Sequence, residues 1–366
     1  MHAIFVRGHG GPEVMTWTEF PDPVPGPGEA AVRLRAAGVN FMDTGVRRMP
    51  VPTWSVPTIL GVEGMGVVTA LGAGASDLAV GDRVAWYHHK GSYAERLTIP
   101  ARSLVRVPDE IDDETAAAVM MQGLTANHFT TETYAIQTGD TAVVHAAAGG
   151  VGLTLTQMIK ARGGTVIGLV SREDKVPVAK AAGAEHVLVS SGGGFEDQVR
   201  DLTGGQGAHV VYDGAGPSTF RSSQLSLRRH GVHAHYGVLI GNPKFSPMDL
   251  PASILLSYPA VADHVPTREA LLHRANEVFD FVRKGQLTPL IGQRYARRRR
   301  RTGTPRPRIP PHHGETAPAA LSSGVSGAGW PSKAVTSTMP GRSAKRARSR
   351  LPKPGIRMSR NTASTG

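Results

Sequence analysis

Residues 141–152 read TAVVHAAAGGVG. Ala142, Val143 and Val144, followed by His145, have the apolar, β-branched character of a buried parallel strand, and the glycine cluster behind them opens onto an amphipathic helix expected over residues 153–162. A strand, a Gly-rich turn and a helix, in that order, form the cradle that holds a dinucleotide pyrophosphate. Ala147, Gly149 and Gly152 occupy the three fingerprint positions, which serve a tight turn, close approach of backbone to phosphate, and close packing of helix on strand. The helix N-terminus adds unpaired N–H groups and a positive dipole end. The same short string also serves plain strand-to-helix packing, so the surrounding chain has to decide.

It does so by regular alternation. Strands are expected at 142–145, 165–170, 186–189, 208–212 and 231–236, with helices at 153–162, 174–182, 195–202 and 218–228 between them. Repeated βα units of this length build a doubly wound parallel sheet of Rossmann type. Before it, residues 1 to about 120 hold short β-like runs (3–7, 15–20, 31–36, 67–71, 83–87, 93–99) broken by Gly/Pro turns, which suggests a compact β-barrel-like domain. From Asp112 the texture changes to acids followed by an Ala/Met/Leu helical face leading into the nucleotide domain. A long amphipathic helix follows over 268–284, and a last strand is expected at 287–291.

The chain of 366 residues carries a formal charge of +12, and the location of that charge matters more than its size. Residues 296–366 hold 16 of the 41 Lys and Arg and one acid, Glu315, whereas the preceding 295 residues are slightly acidic. That tail, rich in Arg, Pro, Ser and Gly, shows no helical or strand period and is expected to be disordered. Nucleic acid or another anionic polymer is an expected partner only through the tail and without sequence preference. There is no cysteine, which removes disulfides, thiolate nucleophiles and Cys-ligated zinc. Neither a signal-peptide pattern nor an apolar run of bilayer length is present, so no membrane partner and a cytoplasmic location are expected.

NAD-preferring folds place an acid near the end of the second strand, where it binds the ribose 2′-OH. Here Ser171 and Arg172 stand there, with Lys175 one helical turn on; a hydroxyl and two cations suit a 2′-phosphate and favour NADPH. The other reading makes Ser171 a helix cap completed by Asp174, with both cations solvated.

The order of GVNFMD (38–43), GVEGMGVV (61–68), GDRV (81–84), GSYAE (91–95), HAAAGGVG (145–152), AKAAGAEHV (179–187) and VVYDGAG (210–216) closely resembles the medium-chain dehydrogenase/reductase superfamily, in particular its zinc-free quinone oxidoreductase branch, over residues 1 to about 295. The resemblance implies a GroES-like substrate domain (1–125), an NADP-binding Rossmann domain (126–255), a return to the substrate domain (256–295) and the basic tail (296–366). Where zinc-dependent relatives place Cys and His ligands, this chain has Asn40 and Val62, so no catalytic metal is expected. The adjacent His88 and His89 read as surface residues of a polar loop. Without a Lewis acid, a quinone or a conjugated enone is a better hydride acceptor than an alcohol is a donor.

The resemblance further implies that Asn40 and Asp43 lie near the nicotinamide or substrate and that Gln122 and Thr125 line the cleft. Gly149, Gly150, Val151 and Gly152 would hold the pyrophosphate, Ser171, Arg172 and Lys175 the adenosine phosphate, and Tyr236 with Gly237 would lie along the cofactor. A homodimer paired through the cofactor domain is the expected assembly. Two departures stand out: Gly45 where relatives carry a Tyr, and Ser190 or Ser191 where a second Tyr would approach the 2′-phosphate. The third is the sequence after Tyr295, where a patterned ending gives way to RRRRRTGTPRPRIPPHHG, as though translated in another frame. Sequencing the gene and translating every frame past codon 295 tests this; if the tail is real, the substrate domain is expected to lack its last helix and edge strand.

Overall fold

The computed structural model describes residues 1–51, 54–237, 240–251, 253–296 and 320–322. Short β-prone runs separated by turns bury themselves by pairing, and the N-terminal part does so in two sheets. β1 (His2–Val6) pairs antiparallel with β2 (Met15–Glu19). β3 (Glu29–Gly38) is the spine of the second sheet and leads into α1 (Phe41–Arg48). β4 (Thr58–Ile59) covers the other side of β1, while β5 (Gly64–Leu71) runs antiparallel to β3. β6 (Arg83–Trp86) adds to β5, β7 (Arg96–Pro100) to the first half of β3, and β8 (Val105–Arg106) to β6.

α2 (Asp113–His128) begins where the Asp112 carboxylate accepts from Thr115 N–H at 2.9 Å, with Asp113 and Glu114 at its positive end. The βα alternation then follows: β9 (Thr141–Val144), α3 (Gly150–Ala161), β10 (Thr165–Val170), α4 (Val176–Ala181), β11 (His186–Val189), α5 (Glu196–Leu202), β12 (Ala208–Asp213), α6 (Phe220–Leu225), β13 (Leu227–His235) and β14 (Leu255–Ser257). The six strands lie in the order β11-β10-β9-β12-β13-β14, every neighbouring pair parallel. This is a Rossmann-type sheet beside a GroES-like β domain, and its strand order reverses between β9 and β12. The chain returns through α7 (Val261–His264), α8 (Arg268–Arg283), β15 (Tyr295–Ala296) and β16 (Ala320–Ser322).

α2 is buried on nearly all sides because it packs on β3, β5 and β6 toward one lobe and on α3 and α8 toward the other. One apolar core runs through it, joining Ala36, Met65 and Ala85 of the β domain to Val144, Leu155 and Val210 of the parallel sheet.

Three expectations change. Residues 287–291 form no strand: Thr288 N–H donates to Gln157 Oε1 at 2.8 Å and its carbonyl accepts from Gln157 Nε2 at 3.2 Å, so a side chain of α3 takes the place of a sheet neighbour. Among the short β-like runs expected before residue 120, residues 41–48 instead form helix α1, with Asn40 at its N-cap. The β3 edge is not left bare, since β16 pairs antiparallel with Ala36–Gly38. Residues 297–319 and 323–366, most of the tail expected to be disordered, lie outside the described residues. Among those described, no helix is long and apolar enough to cross a membrane.

Candidate active site

The cleft side of the β domain is organised by a buried carboxylate that sequence reasoning passed over. Glu63, between β4 and β5, is fully buried; its Oε1 accepts from Asn40 Nδ2 at 2.8 Å and its Oε2 from Met121 N–H at 2.7 Å. Gln122 Nε2 donates to Asn40 Oδ1 at 2.9 Å, so both ends of the Asn40 amide are engaged and its plane is set. Asp43 Oδ2 accepts from Asn40 N–H at 2.9 Å, satisfying an orphan donor at the start of α1, and from Tyr93 O–H at 2.6 Å. The close approach of Glu63 to β3 depends on Gly38, where a Cβ would stand 2.2 Å from Glu63 Oε1.

Burial dominates the electrostatics. It pushes the Glu63 carboxyl up to about 7, with the neighbouring Asp43 carboxylate adding to the rise, and the Asp43 carboxyl up to about 6 against the pull of its hydrogen bonds. Tyr93 is held well above the usual phenol range for the same reason. Gln122 Oε1 is buried with no hydrogen-bond partner among the described residues, an unsatisfied acceptor. Thr125 is buried too, but its hydroxyl donates back to Met121 O at 2.7 Å within its own helix.

At the reversal between β9 and β12 the glycine loop has the shape of an anion cradle. Ala146 turns with φ of 47°, and Gly149 N–H donates to Ala146 O at 2.7 Å. A Cβ on Gly152 would lie 2.2 Å from that same oxygen, so glycine lets α3 start hard against the turn. Ala147 is fully buried and donates its N–H to Leu169 O at 2.9 Å. Gly149 caps α3 without a side chain, so the first-turn N–H groups of Gly150, Val151 and Gly152 have no intrahelical acceptor and suit a pyrophosphate. Across the crevice, Gly237 approaches Gly216 so closely that a Cβ would be 2.7 Å from its nitrogen, and the Tyr236 ring lies where a Cβ on Gly214 would be, packed 5.0 Å from the ring of Phe129.

β10 ends beside the third group. Lys175 Nζ donates to Ser171 Oγ at 3.2 Å, and Arg172 Nε and Nη2 each donate to Asp174 at 3.0 Å. Asp174 thus faces Arg172, and no side-chain cap forms at the Glu173–Lys175 turn. Ser190 N–H donates to Val170 O at 2.9 Å, which sets Ser190 alongside Ser171. The structure therefore gathers the candidates into three groups: Asn40, Asp43 and Gln122; the Ala147–Gly152 loop after β9, with Tyr236 and Gly237 after β13; and Ser171, Arg172 and Lys175 at the end of β10 with Ser190 at the end of β11. Glu63 and Tyr93 join the first. Their signal was an acid between Val62 and Gly64 and an aromatic between Ser92 and Ala94, small and apolar surroundings in which a buried polar group has to be bonded. Of the two loop histidines read as surface residues, His88 is exposed and His89 half-buried.

Residues 26–109 match the family described as alcohol dehydrogenase GroES-like domain, and residues 150–258 the one described as zinc-binding dehydrogenase. The chain is 36% identical to a quinone oxidoreductase of Pseudomonas aeruginosa over 292 residues, which are 79% of this chain and 90% of that protein. It is 34% identical to a 2-haloacrylate reductase of a Burkholderia species, covering 80% and 91%. Among solved structures, a mycobacterial protein complexed with NADPH matches with a TM-score of 0.79 at 36% identity, covering 88% of this chain and all of that one. Escherichia coli quinone oxidoreductase complexed with NADPH matches at 0.78 and 29% identity with the same coverage.

Proposed function

The chain belongs to the medium-chain dehydrogenase/reductase superfamily, in its zinc-free quinone oxidoreductase branch, and from that premise we propose that it is an NADPH-dependent quinone reductase that works without a catalytic metal. The observation that carries this reading is the Asn40 amide, fixed by Glu63 at 2.8 Å and Gln122 at 2.9 Å at the position where zinc-dependent relatives have a thiolate ligand. A neutral amide held at both ends is a positioning group and a poor substitute for an anionic ligand. Bound NADPH supplies the hydride. The protein supplies geometry and dryness: α3 and the glycine loop take the pyrophosphate, Arg172, Lys175 and Ser171 the 2′-phosphate, and Asn40 with Gln122 orients the reacting face. A conjugated alkene acceptor is the second reading, favoured by the similarity to a 2-haloacrylate reductase.

NADPH oxidation by the full chain against a para-quinone, an ortho-quinone and an enone, with NADH and a chelator as controls, tests the proposal. Quinone-dependent turnover that prefers NADPH and ignores the chelator is expected. NADPH binding without turnover of any acceptor would sink it.

Arg172→Ala should raise KM for NADPH about tenfold, worth about 1.4 kcal/mol, because it removes a charge-assisted contact and leaves Asp174 facing the phosphate without its partner. KM for NADH should stay within about twofold. Equal effects on both cofactors would place the 2′-phosphate elsewhere.

A further inference from the structure

Three neighbouring strands of the parallel sheet end in a buried polar cluster that the hydride chemistry does not use. β9 runs into His145, β12 ends at Asp213, and β13 carries His233 and His235, which alternation along the strand puts on one face. Asp213 stands opposite His235 in register. Their exposures are 1% for His145, 0% for Asp213, 0% for His233 and 6% for His235.

Asp213 is well served: it accepts from Ala215 N–H at 2.9 Å, from Thr219 Oγ1 at 3.0 Å and from Ser223 Oγ at 2.8 Å. His145 shares a hydrogen bond with Ser223 at 3.0 Å through Nε2. The other two imidazoles are different. Both ring nitrogens of His235 and Nδ1 of His233 have no hydrogen-bond partner among the described residues, while His233 Nε2 faces Asp213 Oδ2 at 3.3 Å. Phe220 packs on both rings, at 4.9 and 5.4 Å between centroids, which leaves little room for solvent on that side. Three unpartnered nitrogens in a buried interior are costly and call for a partner.

The ligand-type atoms of Asp213, His233 and His235 all lie within 4.8 Å of one another, the scale of a coordination shell. We propose that Asp213, His233 and His235 bind a divalent transition-metal ion inside the nucleotide lobe, with Zn2+ the best match to two imidazoles and a carboxylate. His145 Nδ1, 3.5 Å from Asp213 Oδ1, is the nearest further donor. The site departs from the expectation of a metal-free chain, yet it shares no residue with Asn40, Glu63 or Gln122 and would act by tying the ends of β12 and β13, just before Gly214 and Gly237. A second group, His128, Glu132 and His264, suits an ion less well: Arg274 already pairs with Glu132 at 2.7 Å, and both nitrogens of His264 are engaged, with Glu132 and Asn127.

Because the ligands are sealed from solvent, the ion has to enter during folding and resist brief chelation. The full chain would be produced in minimal medium supplied with Zn2+ or Co2+, washed with chelator and measured for metal content, visible absorption of the Co2+ form and nearest-neighbour scattering of the Zn2+ form. About one ion per chain is expected, with the visible bands of four-coordinate Co2+ and imidazole scattering in the first shell. The double variant H233Q/H235Q should retain about a tenth of that metal or less, while H128Q/H264Q should retain all of it. A wild-type chain with far less than one equivalent, a first shell without imidazole, or loss of the ion in H128Q/H264Q would each overturn the proposal. These readouts on the wild type and the control decide even if H233Q/H235Q does not fold.

Discussion

Gly152→Ala is expected to weaken NADPH binding by on the order of 100-fold, about 2.7 kcal/mol. The added methyl would sit 2.2 Å from Ala146 O, 2.8 Å from Ala146 C and 2.8 Å from Ala147 Cα. All three are backbone atoms, so no side chain can swing aside; the loop has to move away from α3, or α3 from the loop. Either way the first-turn N–H groups no longer point where a pyrophosphate would be held, and overpacking alone should remove about 1–3 kcal/mol of stability. Gly149→Ala is a graded comparison, because its Cβ would be 3.1 Å from Ala146 O and 3.8 Å from the nearest side-chain atom. Its loss should be about tenfold or less. Fluorescence titration of NADPH against the wild type and both variants, each checked for native circular dichroism, measures the series. G152A binding within about twofold of wild type would show that the loop is not the pyrophosphate site.

Glu63→Gln should be the most damaging conservative change in the β domain. Both carboxylate oxygens accept hydrogen bonds, and a primary amide has only one oxygen to offer. The Met121 N–H is fixed by its helix and keeps the acceptor. The new NH2 then faces Asn40, whose amide has to turn over, and Gln122 has to turn in response. The relay ends with a donor buried where Gln122 Oε1 now sits without a partner. The expected cost is about 1–3 kcal/mol, together with a fall in kcat from the displaced Asn40.

The pH dependence of this variant carries a second test. Glu63 holds its proton in the folded chain up to about pH 7, while the unfolded chain releases it near the ordinary value of 4.5. Over that window the folded state binds more protons, so wild-type stability falls as pH rises and levels off above about 7. A glutamine cannot titrate. The stability gap between wild type and E63Q should therefore narrow by about 2–3 kcal/mol between pH 5 and pH 8. Buried histidines such as His145, lowered to about 4, contribute with the opposite sign, but they are common to both proteins and cancel in the difference. Urea unfolding of both proteins at the two pH values gives the comparison, and a constant gap would mean that the carboxyl is not raised.

The parallel sheet was legible because its signal is local and repeated: β-branched runs, amphipathic helices and a glycine turn recur at the right lengths, and each observed strand of the sheet up to β13 overlaps its expected one. Boundaries moved where packing overrode pattern. α3 starts at Gly150, earlier than its apolar stripe, because the glycines themselves are its first turn. Residues 287–291 have strand composition, but Gln157, far away in the sequence, takes up the backbone groups of Thr288. The site was only half legible. Asn40, Asp43 and Gln122 could be named, yet Glu63 could not, because nothing local says that a carboxylate will be enclosed by β3 and α2. His233 and His235 raised no signal at all, since a histidine in a strand reads the same whether it faces water or an aspartate.

The helix α2 is shared property. With Ala36, Met65 and Ala85 on one side of it and Val144, Leu155 and Val210 on the other belonging to one continuous apolar core, neither lobe can shed α2 without exposing the other's interior. Unfolding of the two lobes is therefore coupled through α2, since releasing it from either one uncovers apolar surface of the other.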